Sequence, residues 1–240
     1  MRYQGGKERI SKQVAEVLRG GQNESDTFVS LFCGTCSIES KLNCYSRIIC
    51  NDIHPYLIAM LKGVRDGYVF PDIVTEEEWK YRREYKDEDP VMTGFAGFGC
   101  SFGGRFFQGY ARDKKNPRNY ALATKNSLEK LAPKIKRIKF LCMDYREVKL
   151  PEGCVIYCDP PYEGTKEYAG IKFDTNAFWD YMREISKDHL VFISELNAPD
   201  DFIPIWEKKV TRTLDINKSN MFKSTEKIFV HQNNAKKCLQ

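Results

Sequence analysis

The four residues Asp159-Pro160-Pro161-Tyr162, directly after the apolar run CVIYC at 154–158, are the part of this 240-residue chain best suited to chemistry. A carboxylate at the end of a strand-like run is costly to bury unless donors meet it. Two successive prolines remove two N–H donors and fix φ at about −65°, which leaves the carbonyl of Pro160 to accept beside the carboxylate of Asp159. Two acceptors held together fit a group with two donors, an –NH2, and Tyr162 offers a flat face on which a ring can stack. An amino group on a flat ring is a nucleobase. Its nitrogen is a poor nucleophile because the lone pair is delocalised, and acceptors gripping both hydrogens favour the pyramidal form that develops during attack. With an electrophilic methyl group held in line, positioning carries much of the barrier reduction and no covalent enzyme intermediate is needed.

A second site is readable upstream. LFCGTCSIES, residues 31–40, follows the β-prone run TFVS and has the composition of a tight turn entering a helix. In an open α/β sheet ligands bind beyond the carboxyl ends of the strands, and Gly34 lets backbone approach a ligand closely. Asp52 then closes the run RIICN at 47–51, where such folds use an acid to accept hydrogen bonds from a ribose. Loop and acid together point to an adenosine-containing cofactor, and they make a mere rigid surface turn a poor account of Asp159 to Tyr162. The same loop offers a rival reading, because Cys33-Gly34-Thr35-Cys36 has the C-x-x-C spacing of a thiol-disulfide centre. That reading explains nothing else in the chain. Zinc would need a second close pair, and Cys154 and Cys158 lie in a presumed strand about 13 Å apart.

The elements that must position these residues alternate. Helical spacing of Ile10, Val14, Val17 and Leu18 predicts a helix over 8–19, and Leu57, Ile58, Leu61 and Val64 predict another after Pro55. Strands are expected at 27–32, 47–50, 138–142, 154–158 and 189–194, a helix at 176–187, and two β-like runs, VTRTLDI and EKIFVH, in the tail. Strands alternating with helices predict a mostly parallel sheet covered on both faces. From residue 65 to about 137 the rhythm breaks, and its middle, GFAGFGCSFGGRFFQGY at 94–110, is rich in glycine and aromatics.

Charge marks the same stretch. Residues 66–89 carry nine acids against four bases, whereas residues 105–139 carry eleven bases against two acids, a candidate polyanion surface rather than a merely solvated helix face. With 42% hydrophobic and 30% charged residues, no apolar run of membrane-spanning length and an N-terminus without an apolar core, a soluble cytoplasmic protein is expected, with no membrane or obligate protein partner. Nine cysteines, an odd number partly inside apolar runs, read as reduced core residues.

RYQGGK at 2–7, LFCGTCS at 31–37, ND at 51–52 and DPPY at 159–162, in that order, resemble the N6-adenine DNA methyltransferases of the Dam type over nearly the whole chain. The likeness is greatest to phage-type members with a segment like GFAGFGCSFGGRFFQGYARD between the cofactor motifs and DPPY. The resemblance implies an α/β, Rossmann-like sheet made of residues 1–63 and 138–240, with a mainly helical and loop target-recognition insertion at 64–137. It implies S-adenosyl-L-methionine as cofactor, held by Tyr3, Lys7, Phe32, Gly34, Asp52 and Asp159, with Asp144 where the family holds the cofactor's adenine. Asp159, Pro160 and Tyr162 would then act on the N6 amino group of a flipped adenine in a short sequence of double-stranded DNA. Arg105, Arg112, Lys114, Lys115 and Arg118 would grip phosphates or read guanine, Arg105 being first choice for base reading, and Phe106, Phe107 and Tyr110 are candidate wedges between bases. Leu31 stands where the family usually has Pro, Cys36 where it has a second Gly, and Tyr3 where many members have Trp. Alternatives are N4-cytosine methylation, whose family members usually carry Ser in place of Asp159, and a DNA-binding protein without catalysis.

Overall fold

The computed structural model describes residues 1, 3–112, 118–161, 173–213 and 221–238. Among the described residues, seven strands form one sheet: β1 (Thr27–Ser30), β2 (Arg47–Asn51), β3 (Lys139–Leu141), β4 (Val155–Cys158), β5 (Leu190–Glu195), β6 (Phe202–Thr213) and β7 (Met221–His231). Their order across the sheet is β3-β2-β1-β4-β5-β7-β6. The first five are parallel, and β7 runs antiparallel between β5 and β6. Strands buried on both faces need apolar side chains throughout, and β4 and β5 are buried at every position.

Helices cover both faces. On one side α1 (Ser11–Arg19) buries Val14, Ala15 and Leu18, while α2 (Pro55–Asp66) buries Leu57, Ile58, Met60, Leu61 and Val64. Pro55 opens α2 where its missing N–H costs nothing, and His54 caps the helix by accepting from the Leu57 N–H. The other face is packed by α6 (Thr175–Ile185) through Phe178, Trp179, Met182 and Ile185. Asp174 caps α6 by accepting from the Ala177 N–H at 3.0 Å. A short polar helix, α7 (Gln232–Cys238), follows β7 without a sequence signal.

The described part of the aperiodic middle forms a layer laid on α2. It contains α3 (Glu76–Glu84), α4 (Pro90–Gly94), a π-helical turn (Phe95–Gly99) and α5 (Tyr120–Ile135). Gly94 explains part of its glycine content: a Cβ there would lie 2.1 Å from the Tyr56 carbonyl oxygen, so α4 can cross α2 only with hydrogen at that position. Buried Trp79 donates to the Ser101 hydroxyl at 2.9 Å, and the Tyr110 hydroxyl donates to the Val74 carbonyl at 2.7 Å. The expected start of the insertion, residue 64, falls inside α2, and α5 returns from it to pack on α2 before the chain enters β3.

The tail departs from expectation in length. β6 begins well before VTRTLDI, because Pro204 and the charged residues after it hide the alternation. Pro204 is tolerated since β6 is the sheet edge and its register shifts between Pro204 and Trp206.

Candidate functional site

Strand order reverses between β1 and β4, which open in opposite directions across the sheet, and that switch point is where α/β folds place ligands. Ser30 lies opposite Tyr157 in register, and the Leu31 N–H donates to the Tyr157 carbonyl at 3.0 Å. The loop after β1 and Asp159 after β4 therefore leave the sheet side by side. Asn51, at the end of β2, ties the neighbouring exits together by donating to the Leu31 and Met143 carbonyls and accepting from the Met143 N–H.

Asp52 holds the loop from beneath. Its carboxylate accepts from the Gly34 N–H at 3.1 Å and from the His54 N–H at 2.9 Å. Gly34 takes φ +49° and Cys36 φ +55°. The left-handed backbone that favours glycine thus occurs at Cys36, where the resembled family has its second Gly. The Tyr3 ring lies over Gly34, since a Cβ on that glycine would sit 3.3 Å from Tyr3 Cε1. Tyr3 packs in turn against Phe98 of the π-helical turn, and the Gln4 N–H donates to the Gly104 carbonyl. The N-terminal motif thereby joins the cofactor loop to the inserted layer.

Lys7 continues that bridge into the other half of the site. Its ammonium lies 3.2 Å from Asp159 Oδ1 and donates to Glu226 Oε2 at 2.8 Å, with only 5% of the side chain exposed. Buried Glu39 receives a hydrogen bond from the Ser30 hydroxyl at 2.7 Å. Burial, reinforced by the Asp159 charge, raises its carboxyl to about 7. Two carboxylates, Asp159 and Glu226, therefore flank one buried ammonium. Neither Glu39 nor Glu226 stands out in the sequence, because an acid inside a helical or strand pattern reads as a solvated position.

Phe32 and Asp144 lie toward the other side of the loop. Phe32 packs on Tyr145 at 5.1 Å between ring centroids and on Phe178 at 5.9 Å. Asp144 caps the turn after β3 and accepts two hydrogen bonds from the Arg146 guanidinium, which hold its carboxyl below the usual range. Pro160 is buried and Pro161 half-buried, whereas Tyr162 lies outside the described residues.

The thiol reading of the loop meets a physical obstacle. Cys33 and Cys36 are buried, and burial pushes both thiols well above their ordinary value, away from the thiolate that exchange chemistry requires.

The expected wedge residues are half-buried and packed: Phe106 stacks on Tyr56 and packs edge-on to His54, and Phe107 packs against Trp79. Tyr110 is held through its hydroxyl as described. The aromatic that the sequence did not single out is Phe102, 58% exposed on the glycine turn that also carries exposed Arg105. Arg112 pairs with Glu76, and Arg118 lies over the Tyr120 ring at 5.8 Å. The basic and acidic stretches thus meet within the insertion, with Lys125 also bonded to Asp72 at 2.6 Å. Lys114 and Lys115 lie outside the described residues.

Comparison with known proteins adds the family. The chain is 24% identical over 187 residues to the Type II methyltransferase M.FokI of Planomicrobium okeanokoites, an alignment covering 68% of this chain and 28% of that relative. The chain thus spans under a third of the length of the relative it matches. Among solved structures, it resembles the Pyrococcus horikoshii protein PH1948 with TM-score 0.44 and 9% identity, covering 92% of this chain and 81% of that one. It also resembles tRNA (m1A58) methyltransferase TrmI from Aquifex aeolicus with TM-score 0.38 and 10% identity, covering 93% and 68%. The model of the D12 class N6 adenine-specific DNA methyltransferases matches residues 3–89 and 93–201, so the chain belongs to that family.

Proposed function

We propose that this protein transfers a methyl group from S-adenosyl-L-methionine to the N6 amino group of an adenine in a specific short sequence of double-stranded DNA. The observation that carries the proposal is the pairing across the switch point of a glycine loop latched by Asp52 with an Asp159 carboxylate held by Lys7. When bound, S-adenosylmethionine would supply an electrophilic methyl carbon to the adenine nitrogen, with the sulfur leaving as a neutral thioether and the surplus amine proton passing to water. Tyr3, Lys7, Phe32, Gly34, Asp52 and Asp144 are the residues proposed to hold it.

Asp159 and the Pro160 carbonyl accept the two amine hydrogens, and Tyr162 stacks the base. These acceptors act on a nitrogen that gains positive charge during transfer, so they bind the transition state more strongly than the ground state. Exposed Phe102 and Arg105 stand on one turn, fit to fill the space of the extruded base and to hold the strand. Labelled methyl transfer to DNA, with digestion to nucleosides, tests the activity. N6-methyladenine is the expected product, and Asp159→Ala should lower the rate on the order of 10³-fold. Product appearing as N4-methylcytosine, or retained turnover in the variant, would remove this reading.

A further inference from the structure

We propose that Glu226, on β7 and beyond the residues that match the family model, is a positioning residue for methyl transfer that acts on Asp159 through Lys7. The inference rests on the activity proposed above and assigns the site a further member.

Lys7 is a compact charge on a flexible stem, yet it is buried between two carboxylates supplied by β7 and the end of β4, strands separated by β5. Asp159 follows β4, while Glu226 lies on β7, one residue before Lys227, which pairs with Glu195 of β5. The ammonium is closer to Glu226, at 2.8 Å, than to Asp159, at 3.2 Å, and both ends of the Glu226–Lys7 contact are 5% exposed. Charges removed from water in this way attract strongly and must be balanced.

With Glu226 ionised, the ammonium's charge is shared between two carboxylates. The trio carries net negative charge, and Asp159 keeps the acceptor strength that an amine hydrogen needs. Without the Glu226 charge, Lys7 is balanced by Asp159 alone in this trio. The ammonium is then drawn onto Asp159, weakening and displacing the acceptor. Glu226 acts in this scheme through Lys7, so its effect belongs in the rate of transfer more than in cofactor or DNA affinity.

The experiment compares wild type, Glu226→Gln and Glu226→Asp in the full chain. Single-turnover methyl transfer is measured at saturating DNA and S-adenosylmethionine, cofactor Kd by calorimetry, and base extrusion by the fluorescence of 2-aminopurine at the target adenine. Glu226→Gln, which keeps shape and hydrogen bonding, should slow transfer by ~10- to 100-fold. Cofactor Kd and the fluorescence rise should stay near wild type, and Glu226→Asp should fall between the two. A folded Glu226→Gln with wild-type rate overturns the proposal, and so does a loss explained wholly by weakened cofactor binding. Should Glu226→Gln not fold, Glu226→Asp decides: a rate below wild type supports the coupling, and an unchanged rate overturns it. A wild-type chain that binds DNA and cofactor without methylating adenine would strike the activity itself, and this inference with it.

Discussion

Arg105 illustrates how a single side chain can be separated from its neighbours. It is exposed at the end of the Phe102–Gly104 turn, and the backbone bond from Gln4 to Gly104 ties that turn to the N-terminal motif. Arg105→Ala should weaken binding to target DNA. If the guanidinium grips a phosphate, the slope of log affinity against log salt falls by about one for all sequences. Reading a base would instead cost about 1–3 kcal/mol at one position and relax specificity there. Titration of target and scrambled duplexes at several salt concentrations distinguishes these, and no effect at any salt would remove Arg105 from the interface. At this scale Asp159, Asp52 and Gly34 were legible because special residue types stood at strand ends. Glu39 and Glu226 were not: Glu39 turns back onto Ser30 from a short helical turn, and Glu226 meets Lys7 only once β7 has joined the sheet.

Among the elements, α2 is the seam between sheet and insertion, and the close crossing by α4 is its most demanding contact. Gly94→Ala would drive a methyl group into the Tyr56 carbonyl and against Met60. Overpacking of this kind costs about 1–3 kcal/mol or more, so a thermal melt should show a fall of several degrees. A melt unchanged from wild type would mean the helices part freely. The parallel strands were readable because burial on both faces demands unbroken apolar runs. The insertion was not, because α3 and α4 are short, the stretch after them is aromatic and packed through glycines, and α5 mixes polar residues and Pro133 into its pattern. The edge strand β6 was concealed because Pro204, beside a register shift, and the charged residues after it break the alternation.

For the molecule as a whole, two buried groups set opposing responses to pH. Glu39, raised by burial to about 7, keeps a proton when folded that the unfolded chain loses from 4.5 upward, so stability falls as pH rises through that window. His54, lowered by burial to about 4, refuses a proton that the unfolded chain accepts below 6.5, so its contribution falls as pH drops from 6.5 to 4. Glu39→Gln removes the first response alone. The variant should gain stability over wild type between pH 4.5 and 7, on the order of 3 kcal/mol, and denaturant melts across that range would show it. A constant difference at every pH would contradict the assignment.

Lys7 and Glu226 stand 219 positions apart in sequence and meet in the interior. During synthesis from the N-terminus, every catalytic motif emerges long before the strand that carries the last charge. A nascent chain released or stalled after β5 would own the full set of signature residues and still leave its lysine without that counter-ion. Competence to modify DNA is therefore expected to arrive abruptly, with the closing hairpin, rather than to accumulate as the motifs appear.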